Sequence, residues 1–322
     1  MASWWQGLLA RWFRKKPTLA ELGAMAECLA AMGAEEELAE LLERGLRRPT
    51  KTELEGEFGE WCRAPREGEP PYEFLMGSPE GEEGRDSDEA QVRVVLTQPL
   101  WVRPVSVTFA QWRLMAKNPR HLRHRGDGAR LPLTHVSWFE ANLYARWLEH
   151  WRRRYGLRLG GAPAAYRVSL PSEAQREFFT RAGTTTRFWQ GDADADLEAV
   201  GWFDGNSGDR VHAVAERPAN PWGLHDVHGN VWEWCRDWYA AELRGEEDPL
   251  GPLSGRDRVL RGGSFRFEAW RCRSAFRYRN APDDARVYYG FRLVLSAPKR
   301  SSKFGHWEWG NSPAGPATGG AR

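Results

Sequence analysis

The sequence predicts an α+β fold, on three observations. Apolar residues recur at helical spacing from Thr18 to about Leu46, and again behind two capping boxes, Ser137-Trp138-Phe139-Glu140 and Ser172-Glu173-Ala174-Gln175. Short runs rich in β-branched and aromatic residues, Val92–Leu96, Trp101–Thr108, Arg258–Leu260 and Gly290–Val294, are bounded by turn residues and read as strands. Between the last two, seven arginines from Arg266 to Arg292 alternate with Phe267, Trp270, Phe276, Tyr278, Tyr288 and Tyr289. That mixture is too charged for a core and too aromatic for a solvated loop, so it predicts a binding surface.

Composition bounds the rest. With 322 residues, 41% of them hydrophobic, the chain has room for one large domain plus an extension. A net charge of +2 gives no electrostatic case for nucleic acid, and none is expected as a partner. Cys28, Cys62, Cys235 and Cys272 form no C-x-x-C pair, which predicts free thiols rather than a zinc or redox motif. No signal-peptide pattern is present and no apolar stretch approaches the roughly 18–20 residues that span a bilayer, so a cytoplasmic location is expected.

In order, residues 1–16 place Trp5, Leu8, Leu9, Trp12 and Phe13 on one helical face beside basic residues. Such a segment either lies on a membrane surface or packs on its own protein. Thr18 caps a helix to Met32, Gly33 closes it, and a second helix from Ala34 to about Leu46 completes an αα-hairpin within an extension covering 1–57. The acidic run Glu80–Glu89 reads as a solvated loop rather than a metal site, and so do His121 and His124, which have no carboxylate at ligand spacing. The helix behind Ser137 carries Ala141, Tyr144, Ala145, Leu148 and Trp151 on one face; the helix behind Ser172 runs through Phe178 and Phe179 to Gly183. Residues 299–322 are rich in Gly, Ala and Pro and read as a flexible tail.

Several of these segments resemble one family. The runs FLMGSPEGEEGRDSDEAQVRVVLTQPLWVRPVSVTFAQW, LTHVSWFEANLYARWL and YRVSLPSEAQREFFTRAG, together with Asp226-Val227-His228-Gly229-Asn230-Val231-Trp232-Glu233-Trp234, are similar to formylglycine-generating-enzyme-like (sulfatase-modifying factor) domains. The resemblance implies a C-type lectin fold of that subclass over residues 58–298. More narrowly, RGGS…CRSA-x-R-x-RN-x-PD…GFRLV, within a variable region of about 258–294, resembles the variable region of diversity-generating-retroelement target proteins.

The family can carry calcium. By resemblance Asp226 and Glu233 would supply carboxylates and Gly229 and Val231 carbonyls, toward the six to eight oxygens the ion takes. The metal-free reading is that Asn230 and Glu233 stitch the turn while Trp232 and Trp234 fill the core. Gly191–Gly208, with Asp192, Asp194, Asp196, Asp204 and Asn206, is a second region where the family can hold calcium, but the spacing fixes no ligands. The family's oxidases hold copper through two cysteines, and alignment on the Ala-x-Arg…Asn-x-Pro-Asp framework puts Ser274 and Ala269 there. Neither binds Cu(I), so no copper and no catalysis are expected. The retroelement resemblance implies variable, ligand-binding side chains at Arg266, Phe267, Ala269, Phe276, Tyr278, Ala281, Asp284, Val287 and Tyr288. The partner would be an unidentified protein or other macromolecule; the alternative is an oxidase acting on a protein cysteine, or a regulatory homologue.

Overall fold

The structure, a computed structural model, describes residues 12–68, 70–116 and 128–298. The expectations for residues 1–11, for His121 and His124, and for the tail from 299 lie outside the described residues. After a helical stretch at residues 12–14 come α1 (Leu19–Ala31), α2 (Glu35–Gly45) and α3 (Lys51–Phe58). Thr18 and Thr50 each cap through a capping box, with Glu21 and Glu53 as the reciprocal carboxylates. Then follow β1 (Cys62–Ala64), β2 (Tyr72–Met76), β3 (Val92–Leu96), β4 (Leu100–Val102), α4 (Phe109–Trp112), α5 (Trp138–Arg154), β5 (Arg167–Ser169) and α6 (Glu173–Arg181). Two short helices, α7 (Asp194–Val200) and α8 (Asp204–Ser207), precede β6 (Trp232–Trp238) and β7 (Arg258–Arg261). After a 3₁₀ turn at Ala269–Cys272 come β8 (Arg277–Asn280), β9 (Tyr289–Gly290) and β10 (Val294–Ser296).

Two four-stranded sheets carry the fold, in orders β1-β4-β10-β5 and β8-β7-β6-β9, and β2 and β3 form a separate hairpin. The expected strand Gly290–Val294 is two strands. β9 pairs with β6 in one sheet and β10 with β4 and β5 in the other, so this segment crosses between sheets. The expected strand over 101–108 stops at Val102 because Pro104 has no N–H to continue a ladder; contact resumes where the Val107 N–H donates to the Phe291 carbonyl.

The opening helices are part of the main core. Leu22, Leu29, Leu38, Leu41, Leu42, Leu54 and Phe58 are buried in one cluster with Trp112, Tyr144, Trp147, Trp232 and Phe291. Each such side chain contributes about 1.5–3 kcal/mol of burial before entropy is subtracted. α1 packs on α5 so closely that a side chain at Gly23 would overlap the Phe139 carbonyl. Arg146 pairs with Glu27 at 2.6 Å across this contact, and the Trp147 indole donates to the Arg47 carbonyl at 2.9 Å, tying α5 to the segment between α2 and α3. Trp12 and Phe13 pack against this cluster as well, so the described end of the basic amphipathic segment lies on its own protein.

Candidate ligand-binding surface

The aromatic residues of the Arg258–Val294 segment stand on one buried indole. Trp232, on β6, is fully buried and stacks on Tyr278 of β8 with ring centroids 5.0 Å apart and planes at 24°. Phe267 meets it edge-on at 5.6 Å, and Tyr288 meets Phe267 edge-on at 5.1 Å. Phe267, Tyr278 and Tyr288 are each half-buried. Backbone bonds hold the loops that carry them. The Asp204 N–H donates to the Phe267 carbonyl at 3.1 Å, the Phe265 N–H to the Asn230 carbonyl at 3.0 Å, and the Trp232 N–H to the Tyr288 carbonyl at 2.8 Å. Gly263 sits at φ +78°, where a β-carbon would also strike Cys272, so the turn into the segment requires glycine.

Cations rim the trio, each held by a partner. Arg266 is bidentate to Asp209 at 2.7 and 3.1 Å and Arg271 lies over Phe267 and Trp270. Arg279 stacks on Tyr239 with 4.0 Å to the ring centroid, as Arg277 does, on the opposite face of β8 from Tyr278. Asp284 accepts from Asn280 and pairs with Arg286; Ala281 and Val287 are half-buried beside it. Of the nine expected variable residues, Arg266 is exposed and Phe267, Tyr278, Ala281, Asp284, Val287 and Tyr288 are half-buried. Ala269 and Phe276 are buried. Ala269 is 7% exposed within the 3₁₀ turn, packed with Phe188 and Leu197, and Phe276 is 4% exposed, closed in by Trp232 and Trp270 at 5.8 and 5.2 Å. Phe276 follows Ala275 out of the turn into β8 at the point where the chain passes over Trp232, so its ring points inward. Asp209 and Tyr239, which brace Arg266 and Arg279, come from distant loops and had no signal in the sequence.

Beneath the rings the arginine count has a different meaning from the one composition suggested. Arg261, Arg273, Arg277 and Arg292 are all buried, each matched to a buried glutamate. Arg277 is bidentate to Glu173 at 2.7 and 2.9 Å, Arg261 pairs with Glu177, and Arg273 bonds Glu89 at 2.7 and 2.8 Å and Glu82 at 2.5 Å. Glu82 and Glu89 thus form an acidic strap around Arg273, because a buried guanidinium needs its charge and donors matched, while Glu80, Glu83 and Asp86 of the same run stay exposed as a solvated loop. Arg292, at the crossing between the two sheets, meets Glu233 at 3.0 Å and donates to the carbonyls of Arg103, Pro104 and His225. Such pairs contribute little net stability, but removing one partner leaves a buried, uncompensated charge and is strongly destabilising.

The same geometry tests the calcium reading at Asp226, Gly229, Val231 and Glu233. Glu233 accepts from Arg176 at 2.8 Å, from Arg292 at 3.1 and 3.2 Å and from the Ser106 hydroxyl at 2.6 Å. Burial would raise its pKa, but Arg292 and Arg176 outweigh this and hold the carboxyl below the usual range. A calcium ion on Glu233 would have to displace two buried cations, so these residues do not fit the ion as a set. Asp226 is buried at φ +54° with Oδ2 accepting the Ala215 N–H at 2.8 Å, and burial pushes its carboxyl up. Trp232 and Trp234 fill the core, and Asn230 stitches the turn by accepting the His212 N–H at 3.1 Å and donating to its carbonyl. His228 is fully buried; its Nε2 accepts the Trp189 N–H at 3.0 Å, so Nδ1–H donates to the Cys272 carbonyl at 2.7 Å, and burial lowers its pKa to about 3. In Gly191–Gly208, Asp196 and Asn206 accept backbone N–H groups at the starts of α7 and α8. Among the described residues no three His, Cys, Asp or Glu side chains gather as a metal site.

All four cysteines are free. Cys272 is fully buried against Gly263, and burial raises its thiol pKa far above the ordinary value, which disfavours the thiolate that nucleophilic or metal chemistry needs. Ser274 and Ala269 are both buried. Among the described residues no helix is long and apolar enough to cross a membrane.

Comparison with known proteins places this geometry. The chain is 30% identical over 237 residues to the mouse formylglycine-generating enzyme, across 66% of this chain and 56% of that protein. It is 34% identical over 171 residues to the serine/threonine-protein kinase pkn1 of Chlamydia caviae, across 52% of this chain and 24% of the kinase. The chain thus spans about half the length of the first relative and about a quarter of the second. Among solved structures, Treponema denticola variable protein 1 superposes with a TM-score of 0.61 at 24% identity, over 73% of this chain and 94% of that one, and so shares the fold. Residues 70–297 match the sulfatase-modifying factor enzyme 1-like domain. The α+β architecture is accordingly the formylglycine-generating-enzyme-like form of the C-type lectin fold, and the chain belongs to the sulfatase-modifying factor enzyme 1-like family.

Proposed function

We propose that this is a non-catalytic binding protein that grips a macromolecular ligand through Phe267, Tyr278 and Tyr288, with Arg266, Ala281, Asp284 and Val287 as the surrounding variable positions. The observation that carries the reading is the contrast between layers: half-exposed rings and surface charges above, buried Arg–Glu pairs below. Aromatic and arginine side chains bury large area at small entropic cost, the composition of binding hot spots. The fold shared with a variable protein supports diversification of this face by a retroelement. The family's oxidase chemistry is the second reading; a buried, protonated Cys272 with Ser274 and Ala269 at the oxidase positions argues against it.

The test compares wild type with Phe267→Ala/Tyr278→Ala/Tyr288→Ala. A partner held by wild type and lost by a triple variant that remains folded supports binding. Conversion of a cysteine-containing sulfatase peptide to an aldehyde, with copper and oxygen supplied, overturns it in favour of the enzyme.

A further inference from the structure

A cavity of about 110 Å³ lies between β6, the start of α6 and the loop 240–252, on a different part of the molecule from the aromatic trio. Met76, Ala174, Trp238 and Leu243 line it with apolar surface, and Asp237 forms a charged wall. Asp237 is 4% exposed, its Oδ2 accepts the Glu173 N–H at 2.9 Å, and no ion pair to it is present among the described residues. Its neighbour Glu173 has both oxygens on Arg277. Arg277 also lines the cavity but spends its guanidinium on Glu173, and at the rim the exposed Glu242 and Glu246 outnumber the one exposed arginine, Arg244.

We propose that this cavity binds the end of a primary alkylammonium, either a lysine side chain or a free alkylamine. One available carboxylate satisfies a compact ammonium; a forked guanidinium needs two acceptors, and a divalent cation needs more oxygens than Asp237 alone provides. The volume holds about four heavy atoms, an ammonium with its last three methylenes, which suits the apolar walls. Burial and the Glu173 carboxylate push the Asp237 carboxyl up to about 7, while Arg236, Arg258 and the Glu173 N–H pull it down. Binding an ammonium favours the ionised form, so near pH 6 the site releases a proton on binding and well above pH 7 it does not.

The experiment is calorimetric titration of the full chain with n-butylammonium, and with an N-acetyl-lysine amide, at both pH values in buffers of different ionisation enthalpy. Saturable binding with proton release only at the lower pH is expected. Asp237→Asn should weaken it at least about tenfold, with melting checked for an intact fold. Glu242→Gln/Glu246→Gln, at exposed rim positions, should weaken it about two- to threefold. The tighter of the two probes identifies the source of the ammonium. No saturable heat with either probe, equal binding of n-butanol, or unchanged binding by folded Asp237→Asn overturns the proposal.

Discussion

Phe276→Ala separates display from core in the segment where the sequence made them look alike. Phe276 is 4% exposed, meets Trp270 edge-on at 5.2 Å and Trp232 at 5.8 Å, and lies under the Arg273 guanidinium. Removing a fully buried phenyl ring costs about 3–5 kcal/mol, and the buried Arg273 pairs give little freedom for the site to collapse, which argues for the upper part of that range. Tyr288 is only half-buried, so Tyr288→Ala loses roughly 1–2 kcal/mol by partial loss of apolar area. Urea unfolding of both variants, compared at equal m-value, measures the difference. A loss below about 1 kcal/mol for Phe276→Ala, or equal losses for the two, would refute the division of this segment into layers.

Three further expectations rest on the buried charges. Glu233→Gln leaves Arg176 and Arg292 buried without their shared anion and should cost about 3–5 kcal/mol in chemical unfolding. Because those guanidiniums take the Glu233 carboxylate, exchanging calcium for a chelator should leave the melting temperature unchanged; a clear downward shift on chelation would contradict the assignment. Asp237 is raised from 3.8 to about 7, so between those values the folded chain holds a proton that the unfolded chain lacks. Its contribution to stability therefore falls as pH rises through that window, by up to about 4 kcal/mol, and is flat above it. Asp237→Asn removes this slope while keeping an acceptor for the Glu173 N–H; unfolding free energies across pH 4–8 check it.

The elements with local causes were legible in the sequence. Both capping boxes announced α5 and α6, and the Gly-rich turn before Ser264 announced the entry to the variable segment. The same signature, Thr50-Lys51-Thr52-Glu53, opens α3 directly after Pro49. What the sequence hid was partnership at long range. Arg273 and Glu89 are 184 positions apart, and Arg261 and Glu177 are 84 apart, so an alternation of arginines and rings looked like one surface when it is two layers. The acidic strap, the loss of Phe276 and Ala269 from the display face, and the guanidiniums on Glu233 share that cause: burial of a charge depends on a partner that no local pattern names.

Sequencing codons 258–294 across many isolates is the most direct test of the display claim. The account predicts substitutions concentrated at Arg266, Phe267, Tyr278, Ala281, Asp284, Val287 and Tyr288, with Arg261, Arg273, Phe276, Arg277 and Arg292 unchanged. Substitutions spread evenly over both groups, or concentrated in the buried one, would contradict it.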